Sequence, residues 1–418
     1  MADVVADLSP ARLVGVDWAT EEHAVCVLDT NGRKLSSFSI RHSRDGFEKL
    51  VKRLASLGPA GEAPVAIERP DGRLIDCLLE AGHPVVAVSP NAIKAWRESE
   101  VVSGAKSDPG DAEVIAEYLR LRQHKLRVLE PFSAETRALR AVSRARDDIV
   151  AQRVSAHNQL EACLDAFWPG AKAIFADVCS EIALAFLERY PTPASARCLG
   201  EKRLAAFLVK HGYSGRRPAA ELLARLREAP DGIGEGPEAE ARRDAVLGYV
   251  RVIRALNTAI KNLNRSVVAH LGEHPDAQIF TSLPRSGQVN AAQMLAEWGD
   301  CRRAYDDPEA IGALAGLTPV TKRSGKHEAV HFRWACNTRF RVAVTTFADN
   351  SRHASPWAAD IYCRAMARGC DHPHAVRVLA RAWVRVIYRC WIDNKPYDST
   401  IHGGAVRLEA KTREKEAA

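Results

Sequence analysis

The first forty residues leave the chain little freedom. RLVGVDW (12–18) is an apolar run that reads as a buried strand ending in Asp17. HAVCVLD (23–29) alternates, Asn31-Gly32 follows, and KLSSFSI (34–40) reads as the returning strand. Asn-Gly between two such runs is a strong hairpin signal, because a tight hairpin turn needs positive φ. Three strands joined in this way form an antiparallel meander. SRDGFEKLVKRLASLG then has helical spacing at Phe47, Leu50, Val51 and Leu54. PVAIE (64–68) is a short apolar run ending in Glu68, GRLIDCLLEAG is a helix with a glycine stop, and PVVAVS (84–89) is a further strand. NAIKAWRESEVV and DPGDAEVIAEYLRL follow as helices. A meander feeding strand–helix units gives a mixed sheet with helices on its faces, an α/β domain expected over residues 1–127.

Beyond it the pattern becomes helical. Leu139, Val142, Ile149, Ala156, Leu160, Cys163 and Phe167 follow a heptad a/d pattern that Arg146 and Arg153 interrupt. A second long helix, about 238–271, carries Val246, Tyr249, Ile253, Leu256, Ile260, Leu263 and Val267. Such seams need a partner helix, within the chain or in a second copy. This gives a helical, coiled-coil-like region over 128–275, with a helical stretch between the seams that ends in the turn-rich EAPDGIGEGPE (228–238). From about 276 a third, mainly helical domain is expected to 396, followed by a flexible tail, 397–418.

Composition excludes several classes. The chain has 418 residues, 46% hydrophobic and 27% charged, an ordinary globular balance. It has no apolar run near the length of a membrane span and no signal-peptide pattern at its start, so a cytoplasmic protein is expected. Its ten cysteines form no CxxC pair and are expected to be reduced thiols. Cys363, Cys370, His372 and His374 fit no zinc-finger spacing. A formal charge of +7 permits a nucleic-acid partner without requiring one.

The acidic residues are more specific. Asp108 and Asp111 flank Pro109-Gly110 at the head of a helix. As caps they need no further role: Asp108 as N-cap, Pro109 at the first helical position, Asp111 near the positive end of the dipole. They also share a context. Asp17 ends the first strand and Glu68 the fourth, and in a sheet of this order those strands can be neighbours. Four carboxylates converging at one edge would repel without a cation, and Mg²⁺ (or Mn²⁺) suits an all-oxygen site with positions left for phosphate oxygens. That is a ribonuclease-H-like arrangement, whose usual work is metal-assisted phosphoryl transfer.

The motifs extend nearly end to end. VGVDWATEEHAVCVLDTNGR, VAIERPDG and KSDPGDAEVIAEYLR, followed by SLPRSGQVNAAQMLAEWGD and ALAGLTPVTKRSGKHEAV, resemble the segments of the insertion-sequence one-ten family of transposases, the bridge-RNA-guided recombinases. The resemblance implies an N-terminal RuvC-like DEDD domain with Asp17, Glu68, Asp108 and Asp111 as metal ligands, and a C-terminal domain whose nucleophile falls on Ser324, directly before Gly325. It also implies double-stranded donor and target DNA, a noncoding bridge RNA, a bacterial nucleoid setting, and a homo-oligomer (dimer or tetramer) in which the halves of one site come from different protomers. Where the family usually reads Ile-Pro-Gly-Ile-Gly, this chain has Leu-Pro-Arg-Ser-Gly, so Arg285 and Ser286 replace glycine and an aliphatic residue.

Read from the residues alone, Ser324 is a serine in a polar turn. Its setting adds Lys322, Arg323 and Lys326, with Arg333, Arg339 and Arg341 close behind, which could hold a scissile phosphate. In the expected mechanism Ser324 attacks, a phosphoserine–DNA ester conserves the bond energy, and the metal stabilises the leaving 3′ oxygen. Ser286 is the rival serine, in a turn before a helix that could bind a phosphate. Arg377, Arg381, Arg385 and Arg389 form a stripe that is either a solvated helix face or a phosphate-binding one. The competing functions are a metal-dependent nuclease or junction resolvase that uses water, an actin-like sugar kinase or ATPase, for which the glycine-rich phosphate loops are missing, and a non-catalytic nucleic-acid-binding assembly protein.

Overall fold

The computed structural model describes residues 5–100, 107–324 and 327–416. The chain divides into two compact units, residues 1–132 with 301–311 and residues 133–300 with 312–418. The first unit is built on β1 (Arg12–Asp17), β2 (Glu22–Asp29), β3 (Lys34–Arg41), α1 (Arg44–Ser56), β4 (Val65–Ile67), α2 (Arg73–Glu80), β5 (Val85–Ala87), α3 (Pro90–Glu100) and α4 (Asp108–Arg122). The strands form one sheet in the order β3-β2-β1-β4-β5. β1, β2 and β3 make the antiparallel meander, while β4 runs parallel to both β1 and β5. This is the mixed α/β architecture of a ribonuclease-H-like domain.

Alternation along the strands sorts the side chains onto two faces. Val14, Val16, Val65 and Ile67 pack under Leu50 and Leu54 of α1 and Leu74 and Leu78 of α2. On the opposite face, Leu13, Ala66 and Val86 meet Ile115 and Leu119 of α4, and Ala24, Cys26 and Leu28 meet Ala112 and Ala116. Gly15 permits this second contact. A Cβ there would overlap the Ala112 carbonyl oxygen and the Ala116 nitrogen, so α4 lies directly on the β1 backbone. The returning segment 301–311 is tied to this unit by a bidentate pair in which Arg127 donates to both oxygens of Asp306, and by Arg303 at 3.7 Å from Glu130.

In the second unit α5 (Ala134–Phe167) packs lengthwise against a second long helix, Pro237–Glu273. Between them lie α6 (Pro169–Ile174), α7 (Glu181–Arg189), α8 (Pro193–Ala196), α9 (Glu201–Lys210) and α10 (Ala219–Glu228), which makes the second long helix α11. The heptad seams therefore find their partner within the chain: Leu139, Ala156, Leu160 and Phe167 are buried from α5, and Val246, Ile253 and Val267 from α11. At Arg146, which breaks the apolar pattern, Nε donates to Asn264 Oδ1 at 3.0 Å, so a polar pair replaces an apolar one across the seam. The short helices close an aromatic core around Phe167, Trp168, Phe186 and Phe207.

The rest of this part of the chain is α12 (Ala277–Thr281), α13 (Gln288–Trp298), α14 (Pro308–Leu314), β6 (Val320–Ser324), β7 (His327–His331), α15 (Thr338–Ser351), α16 (Pro356–Ala367), α17 (His372–Ile392) and α18 (Gly403–Glu416). Trp298, Phe340, Trp383 and Trp391 are fully buried among them. Two departures from expectation appear here. The polar stretch around Ser324 is a two-stranded antiparallel hairpin rather than a loop, with Val320 opposite His331 and Ser324 opposite His327. The segment 397–418, expected to be a flexible tail, includes the helix α18, which contacts α16. Among the described residues, no helix is long and apolar enough to cross a membrane.

Candidate active site

Asp17 is the last residue of β1, and Glu68 follows directly on β4. Val16 and Ile67 are partners in the parallel β1–β4 ladder, so Asp17 and Glu68 are the next pair on strands about 4.8 Å apart. Continuing the alternation, Leu13-Gly15-Asp17 and Ala66-Glu68 share the face covered by α4. The residues after each acid meet as well. The Arg69 guanidinium lies 4.4 Å from the centre of the Trp18 ring, and Arg69 Nε donates to Asp71 at 2.9 Å.

α4 carries the remaining acids in its first turn. Its N-cap is Ser107, not Asp108. Ser107 has the extended backbone of a cap (φ −151°, ψ 146°), and its hydroxyl accepts the Gly110 N–H. Asp108 is thus the first helical residue and is exposed. Asp111, one turn later, is buried beside Ala112, whose carbonyl sits over Gly15 two residues before Asp17. Asp111 Oδ1 lies 3.2 Å from Arg97 Nε of α3, so a cation already faces this carboxylate. The four acids do not form a ready cage. Among the described residues, a trio of potential ligands within 4.8 Å of one another occurs elsewhere, at His157, Asp177 and Cys179. An open pair such as Asp17 and Glu68 still fits Mg²⁺, which takes one or two carboxylates and fills its shell with water and phosphate oxygens.

Behind Asp17 lies a ring cluster that the sequence did not announce. His23 is fully buried on β2. Its Nδ1 accepts the Ala19 N–H at 3.2 Å, which leaves Nε2 to carry the proton toward His42 Nδ1 at 2.8 Å. Burial, then the neighbouring His42, lowers the His23 pKa to about 4. Trp18 and Phe47 complete the cluster.

Ser324 belongs to the second unit. It is exposed, at the end of β6. Lys322 and Arg323 share its strand and are also exposed, and Arg323 lies 3.6 Å from Glu328 across the ladder. Lys326, Gly325 and Lys106 lie outside the described residues. Arg333, Arg339 and Arg341 are not grouped around Ser324. Four strand steps separate Ser324 from the hairpin base, about 13 Å, and these arginines lie beyond that base. Arg333 Nε donates to the Thr318 carbonyl at 2.9 Å. Arg339 is held by α5, through the Arg144 carbonyl and Asp148. Arg341 lies over the Phe332 ring, 5.0 Å from its centre.

The arginine stripe divides. Arg377, Arg381 and Arg385 of α17 join Arg333, His331 and His374 around a cleft of about 440 Å³. Arg389 does not line it and is paired with Asp393 at 2.7 Å. Trp383 and Trp391, adjacent to the stripe in sequence, are core. The aromatic residue on the surface here is Trp334, 82% exposed, set edge-on against Phe332. The hydroxyl of Ser286, the rival serine, is buried without a hydrogen-bond partner, and Arg285 before it takes φ +57°. The cysteines are free. The Cys363–His374 stretch gathers no ligand group, and His372 Nδ1 instead meets the Tyr362 hydroxyl at 2.9 Å.

A mixed sheet with acidic residues at the ends of adjacent parallel strands is consistent with a ribonuclease-H-like domain. Residues 14–169 match a DEDD family model described as transposase, and residues 277–363 match the Transposase IS116/IS110/IS902 family. The IS117 mini-circle protein of Streptomyces coelicolor is 32% identical over 397 residues, covering 92% of this chain and 94% of the relative. The IS110 insertion-element 43.6 kDa protein of the same organism is 27% identical over 94% of this chain and 96% of its own length. The transposase for IS1328 of Yersinia enterocolitica is 25% identical over 59% of this chain and 58% of its own. The chain belongs to the IS110/IS116 family of insertion-sequence transposases, enzymes that cut and rejoin DNA.

Proposed function

We propose that this transposase moves its element through a covalent serine intermediate, with Ser324 as nucleophile and Asp17, Glu68, Asp108 and Asp111 as the metal-binding carboxylates. The observation that carries the reading is the division of chemistry between the units. Paired acids stand at the sheet edge of one, and an exposed hydroxyl stands at a hairpin tip of the other. Ser324 Oγ attacks the scissile phosphorus, the P–O bond to the leaving strand breaks, and the hydroxyl proton passes to solvent. Mg²⁺ (or Mn²⁺) held by the carboxylates supplies a Lewis acid for phosphate oxygens. Lys322 and Arg323, on the same strand, offer charge to the phosphate, and Lys326 follows them in sequence. The ester keeps the phosphodiester energy, so the strands rejoin without ATP.

The cleft of Arg333, Arg377, Arg381 and Arg385 suits a nucleic-acid backbone, which is held by charge independently of sequence. Sequence choice would fall to a bridge RNA that pairs with donor and target DNA, leaving backbone and shape to the protein. A homo-oligomer would let one protomer's Ser324 serve another's carboxylates.

The test is a denaturant-stable protein–DNA adduct, sought with protein expressed alongside its flanking DNA, with and without Mg²⁺. An adduct mapped to Ser324, absent in Ser324→Ala and reduced in Asp17→Ala, supports the reading. Cleavage without adduct, unchanged in Ser324→Ala, replaces it with a water-using nuclease.

A further inference from the structure

The close-set trio His157, Asp177 and Cys179 lies in the second unit, away in sequence from every residue in the proposed reaction. His157 sits on α5, and Asp177 and Cys179 lie in the loop that leads to α7. His157 Nδ1 is 3.3 Å from Cys179 Sγ, and one ligand atom from each of the three residues falls within 4.8 Å of the others. An ion about 2.1 Å from a nitrogen and 2.3 Å from a sulfur, at a tetrahedral angle, holds them about 3.6 Å apart, so the pair needs to open by only a few tenths of an ångström.

The surroundings are built around this contact. The other imidazole nitrogen, Nε2, is 3.5 Å from Glu161, one helical turn along α5. A carboxylate on the far side of a histidine fixes the ring and directs its other lone pair at a metal. Asp177 Oδ1 accepts the Cys179 N–H at 2.8 Å, and the Cys179 carbonyl accepts from Asn257 of α11 at 3.0 Å, so the loop is held from both long helices. Cys179 is buried whereas Asp177 is exposed, which leaves a path for an ion to enter. Nearby charges are mixed: Lys172 reaches Glu161 at 3.8 Å and Asp165 at 2.9 Å.

We propose that His157, Asp177 and Cys179 bind a thiophilic divalent cation, Zn²⁺ by preference, with Glu161 positioning the imidazole and a water in the fourth place. One nitrogen, one sulfur and one oxygen suit zinc and disfavour magnesium. Binding forms the metal–sulfur bond and releases the thiol proton to solvent. The ion then fastens the 175–180 loop to α5, a structural role separate from the carboxylates of the first unit.

Cobalt is the probe, because its spectrum reports the donor atoms. Titrated into the full-length, metal-stripped chain, Co²⁺ is expected to give a thiolate-to-cobalt charge-transfer band that saturates at one equivalent and is erased by Zn²⁺. Cys179→Ser should abolish the band and His157→Ala should weaken binding at least tenfold. Glu161→Gln should weaken it about tenfold while keeping the band, the signature of a positioning residue. Asp17→Asn should leave it intact, because an all-carboxylate site has no such transition. A wild-type titration without a saturating band overturns the proposal whatever the variants do, as does a band that survives Cys179→Ser.

Discussion

Single residues here carry two jobs or a visible strain. Asp111 is both a first-turn acid and the partner of Arg97, which is why a capping reading and a metal reading could both be drawn from the same letters. The cap itself was misplaced by one residue, because Ser107 and Asp108 are both good caps and only the backbone decides between them. At Arg285 the reason for the family's glycine becomes physical. A left-handed φ costs an ordinary side chain about 1–2 kcal/mol, part of which glycine returns through its freedom in the unfolded chain. Arg285→Gly is therefore expected to stabilise the fold by about 0.5–1 kcal/mol in urea unfolding, and Arg285→Val to destabilise it. His23 gives a pH dependence with a definite sign. Its pKa is lowered from 6.5 to about 4, so between those values the unfolded chain takes up a proton that the folded chain refuses. Stability should fall as pH drops through that window, and unfolding midpoints for His23→Gln should show a flatter acid limb. Nothing in HAVCVLD distinguishes His23 from a surface histidine, since its burial depends on Trp18, His42 and Phe47 arriving from elsewhere.

Elements were legible where periodicity was strong. The Asn-Gly hairpin, the succession of strands along the chain and both long helices follow from local pattern, whereas the adjacency of β1 and β4 was open to the sequence only as one possibility. The β6–β7 hairpin was not legible. Its strands are mostly exposed, so no burial pattern marks them, and charge dominates the letters. Pairing of the long helices within the chain also lay beyond the pattern, since a heptad seam does not name its partner. One contact between elements shows how the C-terminal helices are locked to α5. Glu297 of α13 is buried and accepts from Arg144 and Arg140 of α5 and from Asn337. Burial alone would raise its pKa, but these partners outweigh it and hold it below the usual carboxylate range. Its stabilising effect is present above about pH 4.5 and is lost as pH falls toward the lowered value. Glu297→Gln should cost about 2–3 kcal/mol at pH 7, measured by denaturant unfolding, because two arginines lose their shared partner.

For the whole molecule, the charge distribution says more than its sum. A net +7 is modest, but Arg333, Arg377, Arg381 and Arg385 gather around one cleft. DNA affinity should fall steeply with salt, and Arg377→Gln should reduce the slope of log K against log salt by about 1, equally for related and unrelated sequences. A change confined to one sequence would mean base reading instead. The sequence displayed the stripe but not its division: the pairing of Arg389 with Asp393 is local, one turn along the chain, whereas the burial of Trp383 and Trp391 depends on where α17 lies.

The covalent path between the units has a consequence of its own. The chain leaves the sheet unit at residue 132, builds most of the helical unit, returns for residues 301–311, where Asp306 meets Arg127, and departs again. A copy of the gene broken between those points would still encode all four acids but not the strip that Arg127 grips. Completing the acid-bearing unit therefore requires translation through residue 311 of 418, so an interrupted copy is expected to give an incomplete sheet unit.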